Sequence, residues 1–192
     1  PLYSSAASDV YKRQGLAISN KGGNIVAGQP TYLALMNYAE AWGAEIKWVP
    51  VDSDKGYDLK KIRGSIDKET NMVFIANPNN PTGTLLNANS LADFCEDISR
   101  QTLVFCDEAY YDYINEKDYP SMDYLVRKGE NVIISRTFSK VFGMAGLRIG
   151  YLVLKPKLAD DLFGKYSPYG RPNIMAQTLS LIHISEPTRP LY

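Results

Sequence analysis

The chain has 192 residues, of which 45% are hydrophobic, and its 21 basic and 21 acidic residues cancel to a formal net charge of +0. This balance gives no electrostatic support to a nucleic-acid or membrane-surface role. No apolar run approaches the roughly 20 residues of a transmembrane helix, so we expect neither a nucleic-acid nor a membrane partner.

The two ends of the chain are related at the level of DNA. If the codons for Asp9–Gln14 are GAT GTG TAT AAG AGA CAG, the complementary strand encodes Leu-Ser-Leu-Ile-His-Ile, which is the sequence of Leu179–Ile184. This inverted repeat resembles the translated adapters of a transposase-made sequencing library, whereas two natural tails would require a coincidence of codons. We therefore expect residues 1–14 and 179–192 to be adapter-derived tails. Residues 15–178 then form one partial domain, open at both ends.

Between these ends, short apolar runs alternate with longer stretches of helical period. The predicted strands are Asn24–Ala27, Glu45–Val49, Met72–Ala76, Thr102–Cys106, Val132–Ser135 and Ile149–Leu154. The predicted helices lie within Thr31–Trp42, Leu59–Ile66, Asn87–Ser99 and Ser121–Lys128. This alternation predicts an α/β fold with a mostly parallel sheet and helices on both of its faces.

The residues directly after four of the strands are unusually polar. They read "GQPTY", "NPNNPTG", "DEAYYDY" and "RTFSKVFGMAGLR" in chain order. Because ligands of open α/β sheets bind beyond the carboxyl ends of the strands, these loops are where a site is expected.

The last of these loops combines an amine with anion-binding groups. The hydroxyls of Thr137 and Ser139 and the guanidinium of Arg148 suit a phosphate, while Lys140 beside them can form an imine with an aldehyde. Pyridoxal phosphate is an aldehyde that carries a phosphate. A solvated surface loop is the alternative interpretation of these residues taken alone.

A carboxylate strengthens the interpretation as a cofactor site. Asp107 follows a wholly apolar strand, where an unpaired charge is costly. A protonated pyridine nitrogen would supply the opposite charge, and a lysine imine with an acidic partner of the ring nitrogen marks this cofactor. The alternatives for Asp107 and Glu108 are a helix N-cap or an acidic metal-binding pair.

Histidine and cysteine usage narrows the chemistry. The chain's one histidine, His183, lies in the second tail, which excludes a histidine base or a histidine-ligated metal from residues 15–178. Cys95 and Cys106 stand in apolar contexts without CxxC spacing, which predicts buried reduced thiols. We expect no metal site.

Three motifs, in this order, carry a family resemblance. "ANPNNPTGT" at Ala76–Thr84, "CDEAYYDY" at Cys106–Tyr113 and "SRTFSKVFGMAGLRIGY" at Ser135–Tyr151 resemble the class I/II aminotransferases among the fold-type-I pyridoxal-phosphate enzymes, in the histidinol-phosphate aminotransferase branch. The resemblance covers nearly all of residues 15–178. It implies the large cofactor-binding domain of such a transferase, truncated at both ends.

The resemblance also implies roles for individual residues. Lys140 would bind the cofactor covalently and shuttle a proton, Asp107 would pair with the ring nitrogen, and Tyr110 would hydrogen-bond the phenolic oxygen. Further cofactor contacts would come from Asn80 to the phenolic oxygen, from Tyr32 stacked on the ring, and from the phosphate ligands Thr137, Ser139 and Arg148. The peptide bonds Gln29–Pro30 and Asn80–Pro81 would be cis.

The implied activity is transamination between an amino acid and a 2-oxo acid, with histidinol phosphate and 2-oxoglutarate as the branch's usual pair, in histidine biosynthesis. Alternatives are an aromatic amino acid transaminase, a related phospho-amino-acid decarboxylase and a non-catalytic cofactor-sensing domain of a regulator. The resemblance implies a homodimer at full length, and the reduced cysteines favour a cytoplasmic location. Because the family's small domain would lie outside residues 15–178, we expect the chain by itself to turn over poorly.

Overall fold

The computed structural model describes residues 22–161, the backbone of Leu2–Ser5 and the single residue Thr178. The strands are β1 (Leu2–Ser5), β2 (Asn24–Gln29), β3 (Glu45–Pro50), β4 (Thr70–Ala76), β5 (Leu103–Asp107), β6 (Val132–Thr137) and β7 (Gly150–Val153). The α-helices are α1 (Ala34–Ala41), α2 (Leu59–Gly64), α3 (Ala88–Ile98), α4 (Asp123–Arg127) and α5 (Pro156–Ala159). Apart from the backbone of β1, both predicted tails lie outside the described residues.

The strands form one seven-stranded sheet in the order β1-β7-β6-β5-β4-β2-β3. Five neighbouring strands of the sheet run parallel to one another, namely β6, β5, β4, β2 and β3. β7 is antiparallel to β6, and β1 is antiparallel to β7. The prediction of a mostly parallel sheet is confirmed. β7 runs the other way because residues 138–149 return the chain from β6 without an α-helical crossover, which parallel pairing usually needs.

Helices cover both faces of the sheet, as predicted. On one face, α1 and α5 pack against a core that includes Phe74 and Phe105, whose rings stack with centroids 5.6 Å apart. On the other face, α2, α3 and α4 contribute Ile62, Phe94 and Leu125 to a second core. Burial of each large apolar side chain stabilises the fold by about 1.5–3 kcal/mol.

The six predicted strands correspond to β2–β7 and the four predicted helices to α1–α4, with bounds that differ by a few residues. The start of α2 is capped by Asp58, whose side chain accepts a hydrogen bond from the Lys61 backbone N–H at 3.0 Å. α1 begins at Ala34, within the predicted stretch Thr31–Trp42, and the Thr31 hydroxyl lies within hydrogen-bond distance of Tyr57 and Asn79 and does not cap the helix.

Two further features bear on the predictions. Cys95 and Cys106 are free, buried thiols whose sulfur atoms lie 3.6 Å apart, which confirms the prediction for both. The Gln29–Pro30 and Asn80–Pro81 bonds are cis as the resemblance implied, and Asn77–Pro78 is cis as well.

Within residues 22–161, no helix has the length and apolar character to cross a bilayer.

Candidate active site

A cavity of ≈ 270 Å³ opens at the carboxyl edge of the parallel strands. The loops after β2, β4, β5 and β6 meet there, because parallel strands bring their carboxyl ends to one edge of the sheet. All eight residues predicted for the site line this cavity: Tyr32, Asn80, Asp107, Tyr110, Thr137, Ser139, Lys140 and Arg148. The structure thus brings the predicted set together, and the role of each member remains a prediction.

Asp107 supplies a buried negative group at the floor of the cavity. The residue is 3% exposed, and its Oδ1 accepts hydrogen bonds from Ser135 Oγ at 2.8 Å and from the Ala109 backbone N–H at 3.1 Å. Sequence reasoning missed Ser135 as a site residue. The signal was present, because Ser135 ends a predicted strand and lies directly across from Asp107 in the parallel register.

The amine of Lys140 lies beside an aromatic ring. Its Nζ is 4.8 Å from the centroid of the Tyr110 ring, within the range of a cation–π contact. Asn80 Nδ2 lies 3.5 Å from the Tyr110 hydroxyl, which is a long contact for a hydrogen bond. Lys140, Tyr110 and Asn80 therefore converge on the same part of the cavity.

The turn after β6 forms a cradle of polar groups. Thr137 Oγ1 accepts a hydrogen bond from the Ser139 backbone N–H at 3.1 Å. Ser139 Oγ is buried and has no hydrogen-bond partner among the described residues. Arg148 has a left-handed backbone with φ 52 and ψ 51, and its Nη1 donates to the Ala145 carbonyl at 2.9 Å. The absence of a side chain at Gly150 allows the backbone of Arg136 to approach closely, because a Cβ at this position would lie 2.7 Å from the Arg136 carbonyl oxygen.

These groups fit pyridoxal phosphate, the cofactor that the resemblance implies. A buried hydroxyl without a partner costs about 1–3 kcal/mol, and a phosphate oxygen that accepts from Ser139 Oγ would remove that cost. The buried Asp107 carboxylate matches a cationic ring nitrogen. Lys140 on the same cavity supplies the amine for an aldehyde.

Glu108, the neighbour of Asp107, belongs to a different network. Its carboxylate pairs with Arg136 Nη2 at 2.7 Å and accepts hydrogen bonds at 2.8 Å from Ser121 Oγ and from the Met122 backbone N–H. Burial raises the pKa of the Glu108 carboxyl, and the Arg136 guanidinium partly offsets that rise.

Asp107 and Glu108 therefore have separate partners and do not form an acidic metal-binding pair. The N-cap alternative is also wrong, because the residues after Asp107 form only a 3₁₀ turn at Tyr111–Tyr113. Within the described part of the chain, no cluster of three or more His, Cys, Asp or Glu side chains has the arrangement of a metal site.

The chain is similar to known aminotransferases. The profile of the family described as "Aminotransferase class I and II" matches residues 4–184. Histidinol-phosphate aminotransferase 2 of Bacillus thuringiensis subsp. konkukian is 39% identical over 161 residues, which are 84% of this chain and 44% of that protein. Histidinol-phosphate aminotransferase of Bacillus cytotoxicus is 36% identical over 185 residues, which are 96% of this chain and 50% of that protein.

Solved structures show the same fold. A histidinol-phosphate aminotransferase from Clostridium acetobutylicum matches with a TM-score of 0.75 and 22% identity, covering 89% of this chain and 50% of that chain. Alanine aminotransferase from Pyrococcus furiosus matches with a TM-score of 0.83 and 23% identity, covering 96% of this chain and 49% of that chain. The chain thus spans about half the length of the relatives it matches.

Proposed function

Because the chain belongs to the class I and II aminotransferase family, we propose that it forms the cofactor-binding part of a pyridoxal-phosphate-dependent aminotransferase. One observation carries this proposal beyond the fold. The Lys140 amine, the buried Asp107 carboxylate and the Ser139 hydroxyl, which has no partner among the described residues, converge on a single cavity. Since one fold hosts many functions, this convergence of groups is a stronger argument than the architecture.

The anchoring groups act at different points of the cofactor. Ser139 Oγ, Thr137 and Arg148 would bind the phosphate, and the Asp107 carboxylate would accept a hydrogen bond from the ring nitrogen. Ser135 and the Ala109 N–H keep the Asp107 carboxylate oriented through the hydrogen bonds at its Oδ1.

Three further side chains complete the reacting part of the site. Tyr110 and Asn80 would donate hydrogen bonds to the phenolic oxygen, and Tyr32 would pack on the ring face. When bound, pyridoxal phosphate supplies an electron-accepting ring that favours loss of a proton from the substrate α-carbon. Lys140 Nζ would be the group that takes and returns that proton, which would be general base and acid catalysis by one amine.

For the whole protein we propose transamination of histidinol phosphate with 2-oxoglutarate, in a cytoplasmic homodimer of histidine biosynthesis. The names of the curated relatives support this substrate. A phospho-amino-acid decarboxylase would use the same Lys140 and Asp107, and an aromatic aminotransferase would differ in the amino donor. Product analysis separates them, because a decarboxylase releases carbon dioxide and an aminotransferase forms a 2-oxo acid.

We also propose that residues 15–178 are the natural part of the chain. The codon complementarity between Asp9–Gln14 and Leu179–Ile184 supports this division. Sequencing the source genome across both junctions tests it. A chromosomal reading frame that encodes either tail would refute it.

The cofactor proposal is tested by titrating the 192-residue chain with pyridoxal phosphate, followed by borohydride reduction and peptide mapping. We expect a visible absorbance band and a reduced adduct on Lys140, both lost in Lys140→Ala. Lys128→Ala is the matched control, because Lys128 is exposed and pairs with Glu96 away from the cavity. Adducts spread over surface lysines, with no preference for Lys140, would refute the proposal.

A further inference from the structure

Three buried polar side chains lie within hydrogen-bond distance of one another beside the cavity. The Tyr57 hydroxyl donates to Asn79 Oδ1 at 2.6 Å. Thr31 Oγ1 lies 2.6 Å from the Tyr57 oxygen and 3.1 Å from Asn79 Oδ1. Thr31, Tyr57 and Asn79 are 5%, 5% and 3% exposed, so water does not compete for these bonds. We call these three residues the hydroxyl–amide triad.

Asn79 uses both ends of its amide. Its Oδ1 faces the hydroxyls of Tyr57 and Thr31, the other two members of the triad. Its Nδ2 donates to the Pro30 carbonyl at 3.0 Å and to Thr82 Oγ1 at 2.8 Å. Its backbone is bonded as well, since its N–H donates to the Thr84 carbonyl and its carbonyl accepts from the Gly83 N–H, each at 2.9 Å. Hydrogen bonds therefore hold both the side-chain amide and the backbone of Asn79 in place.

Tyr57 is the member that the sheet holds in place. Its ring lies directly on the backbone of β2, because a Cβ added at Gly28 would come within 2.2 Å of two ring carbons. Burial raises the pKa of the Tyr57 hydroxyl to about 12. The hydroxyl thus stays protonated at neutral pH and remains a donor.

The triad joins two loops that carry cavity residues. Thr31 directly precedes Tyr32 in the loop after β2, and Asn79 directly precedes Asn80 in the loop after β4. Both Tyr32 and Asn80 line the cavity, whereas the triad does not belong to the described lining residues. Since β2 and β4 are neighbouring strands, a fixed bond between their loops fixes the spacing of Tyr32 and Asn80.

We propose that Tyr57, through Thr31 and Asn79, is a positioning residue that sets the spacing of Tyr32 and Asn80 across the cofactor cavity. The inference rests on the proposed function in so far as the cavity binds pyridoxal phosphate. The triad residues do not touch the cofactor. In this proposal they determine the positions of Tyr32 and Asn80, which do.

The first test compares cofactor binding by Tyr57→Phe and by Tyr119→Phe in the 192-residue chain. Tyr119 is a matched control, because its buried hydroxyl also makes two hydrogen bonds, accepting from Asn77 Nδ2 at 2.8 Å and donating to the Leu86 carbonyl at 2.7 Å. Neither Asn77 nor Leu86 is a described lining residue of the cavity. We expect the dissociation constant for pyridoxal phosphate to rise about tenfold in Tyr57→Phe, which corresponds to ~1.4 kcal/mol. In Tyr119→Phe it should stay within about twofold, and an equal rise in both variants would overturn the proposal.

A second pair of variants separates positioning from general loss of packing. Thr31→Ser keeps the hydroxyl and Thr31→Val replaces it with a methyl group of similar size. We expect Thr31→Ser to bind pyridoxal phosphate like the unmodified chain and Thr31→Val to bind it as weakly as Tyr57→Phe. Equal binding by the two Thr31 variants would contradict a role for the hydroxyl.

Hydrogen exchange of the cofactor-free chain separates failure of this inference from failure of the proposed function. We expect amides in residues 77–84 to exchange faster in Tyr57→Phe than in Tyr119→Phe, because the loop bonds around Asn79 lose their anchor. If the unmodified chain binds no pyridoxal phosphate, the proposed function fails, and the exchange rates decide on the triad alone. Equal exchange in the two variants would overturn the inference.

Discussion

Gly28→Ala is expected to destabilise the chain through one contact. The new Cβ would lie 2.2 Å from two carbons of the Tyr57 ring. The ring cannot retreat easily, because its hydroxyl lies 2.6 Å from both Thr31 Oγ1 and Asn79 Oδ1. Overpacking of this kind costs about 1–3 kcal/mol, and we expect the upper end of that range. For a chain of this size, ~3 kcal/mol lowers the melting temperature by about 6–12 °C.

Thermal and urea unfolding measure this effect against a matched glycine. Gly64→Ala is the control, because a Cβ at Gly64 meets nothing within 4 Å, and its effect should stay within about 0.5 kcal/mol. The source of the cost is identified by repeating Gly28→Ala in a Tyr57→Ala background, where the clash is absent. A coupling energy of about 2 kcal/mol or more is expected between the two substitutions. If Gly28→Ala costs the same in both backgrounds, the contact with the ring is not the cause.

Three further predictions concern ionisable groups. The pKa of Tyr57 is raised from 10.0 to about 12 by burial, so its contribution to stability is complete below pH 10 and is lost as the pH rises through 12. This loss of up to about 3 kcal/mol should disappear from the pH profile of urea unfolding in Tyr57→Phe. Glu108→Ala leaves the buried Arg136 guanidinium without its carboxylate partner and should cost about 3–5 kcal/mol in the same assay. Cys95 and Cys106 are buried, and the pKa of the Cys106 thiol is raised by its hydrogen bond with Cys95 and by burial. A thiol reagent at pH 8 should therefore modify neither cysteine in the native chain and both after denaturation.

The cavity could be predicted from the sequence because its residues stand at strand ends. A parallel sheet brings the carboxyl ends of its strands to one edge, so Asp107 at the end of β5 and Lys140 after β6 are placed together by topology. The strands themselves were visible as apolar runs. The identity of the residues after each run is a local property of the sequence, and using it needs no knowledge of side-chain contacts.

The supporting contacts could not be predicted, since they join residues that are distant in sequence and have no common pattern. Tyr57 lies in a loop before α2, and nothing around it indicates that its ring packs on Gly28 or that its hydroxyl reaches Asn79. The contacts of Thr31 with Tyr57 and Asn79 are of the same kind, because the sequence around Thr31 does not indicate them. The direction of β7 likewise depends on the loop of residues 138–149, where no α-helix forms.

Asp107 and Glu108 show how one strand end serves two purposes. Asp107 meets Ser135 at the cavity, whereas Glu108, which is not among the described lining residues, pairs with Arg136. The Glu108 ion pair joins the ends of β5 and β6, where the register places Asp107 opposite Ser135. The Glu108 ion pair therefore contributes to the rigidity of this edge of the sheet, although Glu108 is not among the described lining residues. Tyr57 makes a similar contribution between the loops after β2 and β4. One cavity group, Ser139 Oγ, is left without a partner among the described residues and is thus available to a ligand.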